Sequence, residues 1–446
     1  MDPRRPAAPP VPTTEPAASS EAARPVNVPL LAVAGAVTVA NIYFPQPLLA
    51  AVARGLDVSE RTAGLVAPAA QIGYALGILL LVPLADTARL RRLTSVLLAL
   101  TSGALLLAAA APGVVTLTLA TLALSTTTVL PQILTPVAAV LAGPGRRGRV
   151  VGLVGLGLTL GSTLSRTVSG AVTDASGSWR VAYVVAAVAT AALLCVLPRG
   201  LPERLGVPGR TSYGALLAGL PGLLAAHREL RVAALLGASV FAAFSVFWTV
   251  LAFHLAAPPL GYGPGAAGLF GVLTLPAALL SATAGPLTDR YGAPVVSAVG
   301  LASAGLGLGV AGLAPGSPAA LVAGANLLVA GVSSCQVANQ ARIFGIGAAV
   351  AARVNTVFML ATFGGGALGS LAGSWLYAEH GWPAALLAAG VFVAVGGLVA
   401  ASSVRPVRPV RLVRAVRATV PSCVPDGTRE AGGVSARAPR RESHEA

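Results

Sequence analysis

One arginine stands alone inside an apolar run of this 446-residue chain: Arg166, within LGSTLSRTVSG at 160–170. A guanidinium keeps its charge and offers five N–H donors, so here it needs a polar partner, an anion or a wet cavity. At the centre of a membrane helix it costs about 3 kcal/mol on insertion scales. Two further stretches carry charge at the ends of apolar runs: PLADTARLRR at 83–92 and GPLTDRYGAP at 285–294. Each joins an acid to arginines, a set that can form and break ion pairs. Paired carboxylates, a metal-ligand cluster and a Ser/His arrangement are missing from the apolar runs, which argues against an intramembrane enzyme. No catalytic residue, metal or cofactor is expected.

The elements that hold these residues follow from composition. The chain is 55% hydrophobic and 10% charged, whereas a soluble domain carries about a quarter charged residues. Too little polar surface is left to cover a body in water, so the lipid bilayer is the expected partner. A net charge of +15 could suggest nucleic acid, but the basic residues are all arginine and cluster in alternate gaps between apolar runs, which excludes that partner. Cys195, Cys335 and Cys423 imply no disulfide framework.

Gly, Pro and charge divide the chain into twelve expected helices, at about 28–50, 61–85, 92–111, 114–142, 150–173 and 179–198, then 231–256, 264–288, 293–313, 317–345, 350–377 and 382–403. Helices are the expected solution because a backbone in lipid must satisfy its own hydrogen bonds. With both termini inside, the outer loops receive only Arg54, Arg61 and Arg180. That bias sets the orientation, with both termini cytoplasmic. The expected organisation is a cytoplasmic N-terminal tail at 1–27, a six-helix half at 28–198, a cytoplasmic loop at 199–230, a second six-helix half at 231–403, and a basic tail at 404–446. Both tails are expected to be disordered. In the second tail an arginine recurs every third residue from Arg405 to Arg417, a period that suits an anionic leaflet or simply fixes orientation.

The two halves repeat. Asp86 falls on Asp289 at an offset of 203, and the AGL at 63–65 falls on 267–269 at 204. Gln132 meets Gln336, Arg149 meets Arg353, and Trp179 meets Trp382 at the same spacing within one residue. This arrangement resembles the major facilitator superfamily over residues 28–403. In that family the loop between the second and third helices reads roughly G-x-L-a-D-R-x-G-R-R. Gly285, Leu287, Asp289, Arg290 and Gly292 fit it; the first copy keeps Leu84, Ala85, Asp86, Arg91 and Arg92 but has Val82, Thr87 and Arg89 where the family has Gly, Arg and Gly. NIYFPQPLL, QIGYALG, VLPQILTP and SRTVSG are similar to the bacterial drug- and sugar-efflux permeases.

The resemblance implies an all-α fold of two six-helix halves and a cytoplasmic gate of Asp86, Arg91, Arg92, Arg149, Asp289, Arg290 and Arg353. Asp86 would meet Arg353 at the start of helix 11, and Asp289 would face Arg149 by pseudo-symmetry. Polar residues on the spans are the substrate-cavity candidates: Asn41, Gln46, Gln71, Tyr74, Gln132, Arg166, Trp248, Gln336 and Asn339. Arg166 is expected to reach a polar group on helix 1 or 4, such as Asn41 or Gln132. Gly157, Gly161, Ser165 and Ser169 form a stripe suited to close helix packing. Pro45, Pro47, Pro131 and Pro136 should bend helices 1 and 4.

The expected function is secondary active transport by alternating access in the cell membrane, by a monomer, exporting a small organic molecule such as a drug, sugar or metabolite. The resemblance implies protons as coupling ion, for which Asp174 and His254 are the available groups, since no acid lies at mid-membrane. The alternative is exchange of an anionic solute on Arg166. A non-transporting receptor or scaffold is a second alternative, disfavoured because no soluble domain is present to signal.

Overall fold

The computed structural model describes residues 28–86, 88–142, 146–203, 213–280, 283–347 and 350–403. Eleven helical stretches among them are long and apolar enough to cross a membrane. In chain order these are α1 (Val28–Gly55), α2 (Glu60–Ala85), α3 (Leu90–Ala109), α4 (Val114–Leu141), α5 (Gly148–Ser176), α6 (Trp179–Gly200), α7 (Arg228–Ala256), α8 (Pro264–Tyr291), α9 (Ala293–Leu313), α10 (Pro318–Phe344) and the stretch Ala351–Ser403. That last stretch is two helices, because Gly381 interrupts it with φ 73° and ψ −165°. We label its parts α11 (351–380) and α12 (382–403). Pro383 sits in the first turn of α12, where its missing N–H leaves nothing unsatisfied. The expected twelve helices are therefore present in two sets of six, with no strand among the described residues. The expected tails, 1–27 and 404–446, lie outside the described residues, as does the gap at 204–212. The central connection also holds two short helices, Tyr213–Ala218 and Leu220–Ala226.

Two spans are bent where the sequence anticipates it. In α1 the regular helix stops at Tyr43, a 3₁₀ turn covers Gln46–Leu48, and helix resumes at Leu49. Pro45 and Pro47 remove two backbone donors there, so the ladder of hydrogen bonds cannot continue. The span consequently runs on to Gly55, beyond the expected end at about residue 50. A second break, at Thr128–Val129, precedes Pro131 in α4.

Small residues decide which helices touch. A Cβ on Gly157 or Gly161 of α5 would lie 2.3 Å from the carbonyl oxygens of Ala32 and Ala36 of α1. In the second half, Gly365 and Gly369 of α11 approach Ala238 and Ala242 of α7 equally closely, at 2.2 Å. Gly161 and Gly365 are 204 residues apart, so the repeat preserves this crossing of first and fifth helices. In lipid there is little hydrophobic gain between helices, and close packing of this kind takes its place.

The termini of the helical body, Val28 and Ser403, share one end of the bundle, here the near end. Contacts between the halves gather at the opposite, far end. There α5 and α8 interlock: Gly170 abuts the Pro264 carbonyl, Gly268 the Arg166 carbonyl and Gly271 the Thr163 carbonyl, each within 2.4 Å of an added Cβ. Asp174 accepts a hydrogen bond from the Gly265 N–H at 2.9 Å, so α5 caps the start of α8. Between α2 and α11, Gly64 meets Ser374, and Arg61 pairs with Glu379 at 3.4 Å. At the near end the segments Val82–Asp86 of α2, Leu130–Leu141 of α4 and Ala284–Tyr291 of α8 pack mainly within their own halves or on the central connection.

The crossing geometry generates a stability prediction. Gly161→Ala and Gly365→Ala each drive a Cβ into a backbone carbonyl, an overpacking worth about 1–3 kcal/mol. Gly152→Ala meets no atom within 4 Å and gains helix propensity of about 1 kcal/mol. Thermal unfolding of the purified variants in detergent should show the first two melting several degrees lower, and Gly152→Ala melting no lower than the parent.

Candidate functional site

Arg166 lies at the junction of the break in α1 with α5 and α7. Its Nε donates to Gln46 Oε1 at 2.7 Å, and its Nη1 donates to the Ser162 carbonyl one turn earlier, also at 2.7 Å. The guanidinium carbon sits 4.8 Å from the ring centre of Tyr43 and 4.3 Å from that of Trp248. The cation is thus sandwiched between an aromatic face of α1 and one of α7. Arg166 is 5% exposed and Trp248 3% exposed.

The magnitudes explain how the charge is tolerated. Two charge-assisted hydrogen bonds contribute about 1.5–3 kcal/mol each. A desolvated cation–π contact adds about 2 kcal/mol. Together these offset an insertion cost of about 3 kcal/mol. None of the contacts is to an acid, and Arg166 forms no ion pair among the described residues. Its positive charge is solvated by dipoles and rings but not neutralised.

Beside it is a small cavity lined by Gln46, Pro47, Arg166, Trp248, Leu251 and Ala267, with room for about one water molecule. The Trp248 Nε1–H is buried and makes no hydrogen bond among the described residues. Asp174 and the contact of Gly170 with the Pro264 carbonyl lie farther toward the far end along α5, while the Gly268 and Gly271 contacts flank Arg166 itself, so the seam between the halves closes over and beside the site.

The other expected cavity residues divide into separate groups. Tyr74 and Gln132 meet, the Gln132 Nε2 donating to the Tyr74 hydroxyl at 3.2 Å. Tyr74 also sets its ring edge-on to Phe363 of α11 at 4.6 Å, a contact between halves. Asn41 turns away from Arg166 and donates to Thr190 Oγ1 of α6 at 3.0 Å. The partner of Arg166 on α1 is therefore Gln46, because the break after Tyr43 swings Gln46 toward α5. Gln336 contacts Met359 Sδ at 3.7 Å. Gln71 Oε1 and both amide atoms of Asn339 are buried without hydrogen bonds among the described residues. His254 bonds the Pro315 carbonyl at 2.9 Å and stacks on Trp382 at 4.1 Å, at the far end of α7.

The gate residues are dispersed at the near end. Arg91 donates to the Leu201 carbonyl at 3.0 Å. Arg290 lies over the Tyr291 ring at 5.2 Å. Asp289 and Arg149 form no ion pair among the described residues, nor does Arg353; the Asp86 side chain lies outside them. Arg89 pairs instead with Glu203 at 3.3 Å, and Arg342 with Glu229 at 3.6 Å.

Sequence reasoning missed Tyr43, Phe241 and Phe244. Their signal was present: Phe241, Phe244 and Trp248 are spaced three and four apart and so share a helix face. It also missed the counterpart of the Arg166 pair. Ser370 follows Arg166 by 204 residues and Thr249 follows Gln46 by 203, and these two hydroxyls bond at 3.1 Å. The repeat keeps the link between first and fifth helices and places the charge in one half alone.

Known proteins match along most of the chain. The family model described as Major Facilitator Superfamily matches residues 31–255 and 233–434. The transporter YgaY of Escherichia coli strain K12, itself uncharacterised, is 36% identical over 375 residues, 84% of this chain and 95% of that protein. A transporter of Streptomyces coelicolor is 37% identical over 410 residues, covering 89% and 93%. Among solved structures, the nucleoside transporter NupG shares the fold with a TM-score of 0.68 at 15% identity, over 84% of this chain and 98% of that one. The duplicated helices, their crossings and these matches lead to one conclusion: the chain belongs to the Major Facilitator Superfamily of membrane transporters.

Proposed function

We propose that this transporter works by secondary active, alternating-access transport of a small organic solute in the cell membrane, with the near end and both termini cytoplasmic. The arginine bias supports the orientation, since among the described residues only Arg54, Arg61 and Arg180 stand at the far end, in the last or first turns of α1, α2 and α6. The grouping of contacts between halves at the far end supports a form closed to the outside. In that form Asp289 and Arg149 form no ion pair among the described residues, as expected of a gate when open. Asp289 with Arg149, and Asp86 with Arg353, would come together as the cytoplasmic side closes and the far end parts.

The observation that carries a substrate reading is the unneutralised charge of Arg166 beside the contact between halves. It favours a solute bearing an anionic group, moved by exchange or together with another ion. Export coupled to protons is the second reading, and it rests on Asp174. Its carboxylate holds the start of α8 across the halves, and protonation would weaken that hold. Uptake and counterflow by purified protein in liposomes, with charged and neutral solutes and with or without a pH gradient, separates the two.

Arg166→Leu should insert at least as well as the parent and transport at least tenfold more slowly, measured on the solute that counterflow identifies. Arg166→Lys keeps the charge but loses the planar fork that serves Gln46 and Ser162 together, so it should stay impaired. Parental rates in the leucine variant would remove Arg166 from the mechanism.

Alternating access can be checked without a known solute. Gly268→Val obstructs the approach of α8 to the Arg166 carbonyl and should hold the far end open. With the native cysteines replaced, Ala267→Cys should then label faster and Thr135→Cys, toward the near end of α4, more slowly. Both rates moving in one direction would count against the mechanism.

A further inference from the structure

We infer that Arg166 and the aromatic face of α7 form the binding site for an organic anion with a flat apolar body. The inference rests on the alternating-access reading and adds to it the chemical class of the solute.

The anionic end is set by unused donors. Gln46 and Ser162 engage Nε and Nη1 of Arg166, while Nη2 makes no hydrogen bond among the described residues. Trp248 lines the same small cavity, and its indole N–H is buried and has no partner among the described residues. Two free donors and a net positive charge call for an acceptor with a negative charge. The symmetric position in the other half holds only the neutral Thr249–Ser370 pair. One half therefore binds one charged group, and the rest of the solute must be accommodated by something apolar.

That apolar surface is present. Phe241, Phe244 and Trp248 form a continuous ladder, with ring centres 5.4 Å and then 6.0 Å apart. The ladder rises along α7 for about 10 Å, at 1.5 Å per residue. Phe241 and Phe244 are half-buried, although α7 is the most enclosed of the spans. Phe363 contacts Phe241 at 5.1 Å and Tyr74 of the first half at 4.6 Å, so the foot of the ladder borders the seam between halves. Aromatic faces bind flat rings by offset stacking or edge contact.

The water-sized cavity shows that the far-closed form is too tight for such a solute. The arrangement supplies a way to open it. Tyr43, Gln46, Ser162 and Arg166 all belong to the first half and move together. Trp248 belongs to the second and covers the guanidinium at 4.3 Å. When the halves part at the far end, Arg166 keeps its positioning bonds while the indole withdraws, leaving room for an anion and its ring.

The test is isothermal titration of the purified full-length protein with 2-naphthoate, 2-naphthamide, benzoate and acetate. The expected result is 2-naphthoate binding at least tenfold tighter than both the amide and acetate, with benzoate between. Arg166→Gln should erase the advantage of 2-naphthoate over its amide. Phe244→Ala should weaken 2-naphthoate several-fold and leave acetate unchanged, which a general loss of structure would not do. Equal binding of acid and amide, equal binding of 2-naphthoate and acetate, or no binding of any of the four overturns the site. If Arg166→Gln does not fold, the ligand series and Phe244→Ala still decide. Vestibule cysteines that label in opposite directions alongside a failed titration would sink the site alone. Labelling in one direction would sink the transport reading beneath it.

Discussion

A buried guanidinium with no acid among the described residues to answer it is the constraint around which this protein is arranged. Burying a cation in apolar surroundings is tolerable only when dipoles and polarisable faces replace water on every side. Here that shell needs three helices at once: the broken turn of α1 for Tyr43 and Gln46, α5 itself for the Ser162 carbonyl, and α7 for Trp248. The proline pair in α1 and the glycine crossing of α1 with α5 are what bring those groups within reach. A straight α1 would carry Gln46 round the helix and leave Arg166 short of its acceptor.

Duplication explains the scaffold, and the departure from duplication explains the site. The α1–α5 crossing at Gly161 and the α7–α11 crossing at Gly365 are the same construction. Within it, Gln46–Arg166 in one half corresponds to Thr249–Ser370 in the other. Both links are polar, both are buried, and one carries charge. A solute lying on the pseudo-symmetry axis would therefore meet a cation on one side and a neutral aromatic wall on the other. At the proposed site, that asymmetry would let a symmetric fold hold an asymmetric molecule in one direction.

The fold was largely legible in the sequence. Apolar length set the helices, and the offset of 203–204 set the two halves. Small-residue spacing in α5 anticipated the packing that the structure shows at Gly157 and Gly161. The site was legible in part. Arg166 announces itself because charge is expensive in lipid, but its partners do not. Asn41 and Gln46 are equivalent by type, and only the geometry of the break at 44–48 decides which one faces α5. Glycines across the α5–α8 seam were also hidden, since Gly265, Gly268 and Gly271 are three among 52 glycines. Their meaning depends on the opposing carbonyl, which no local pattern reveals.

The energetics of the far-end closure suit a reversible gate. The Arg61–Glu379 pair joins the halves, but its side chains are 58% and 49% exposed, and such pairs contribute about 0–1 kcal/mol. Asp174 with the Gly265 N–H adds one charge-assisted bond at a wet edge. The larger part of the closure is backbone against backbone at Gly170, Gly268 and Gly271. Contacts of that kind are sensitive to distance and carry little of the desolvation cost that makes a buried ion pair costly to break. A seam sealed by shape can open without stranding charges in lipid. The buried charge beside it, on Arg166, keeps its hydrogen-bonded partners on its own side.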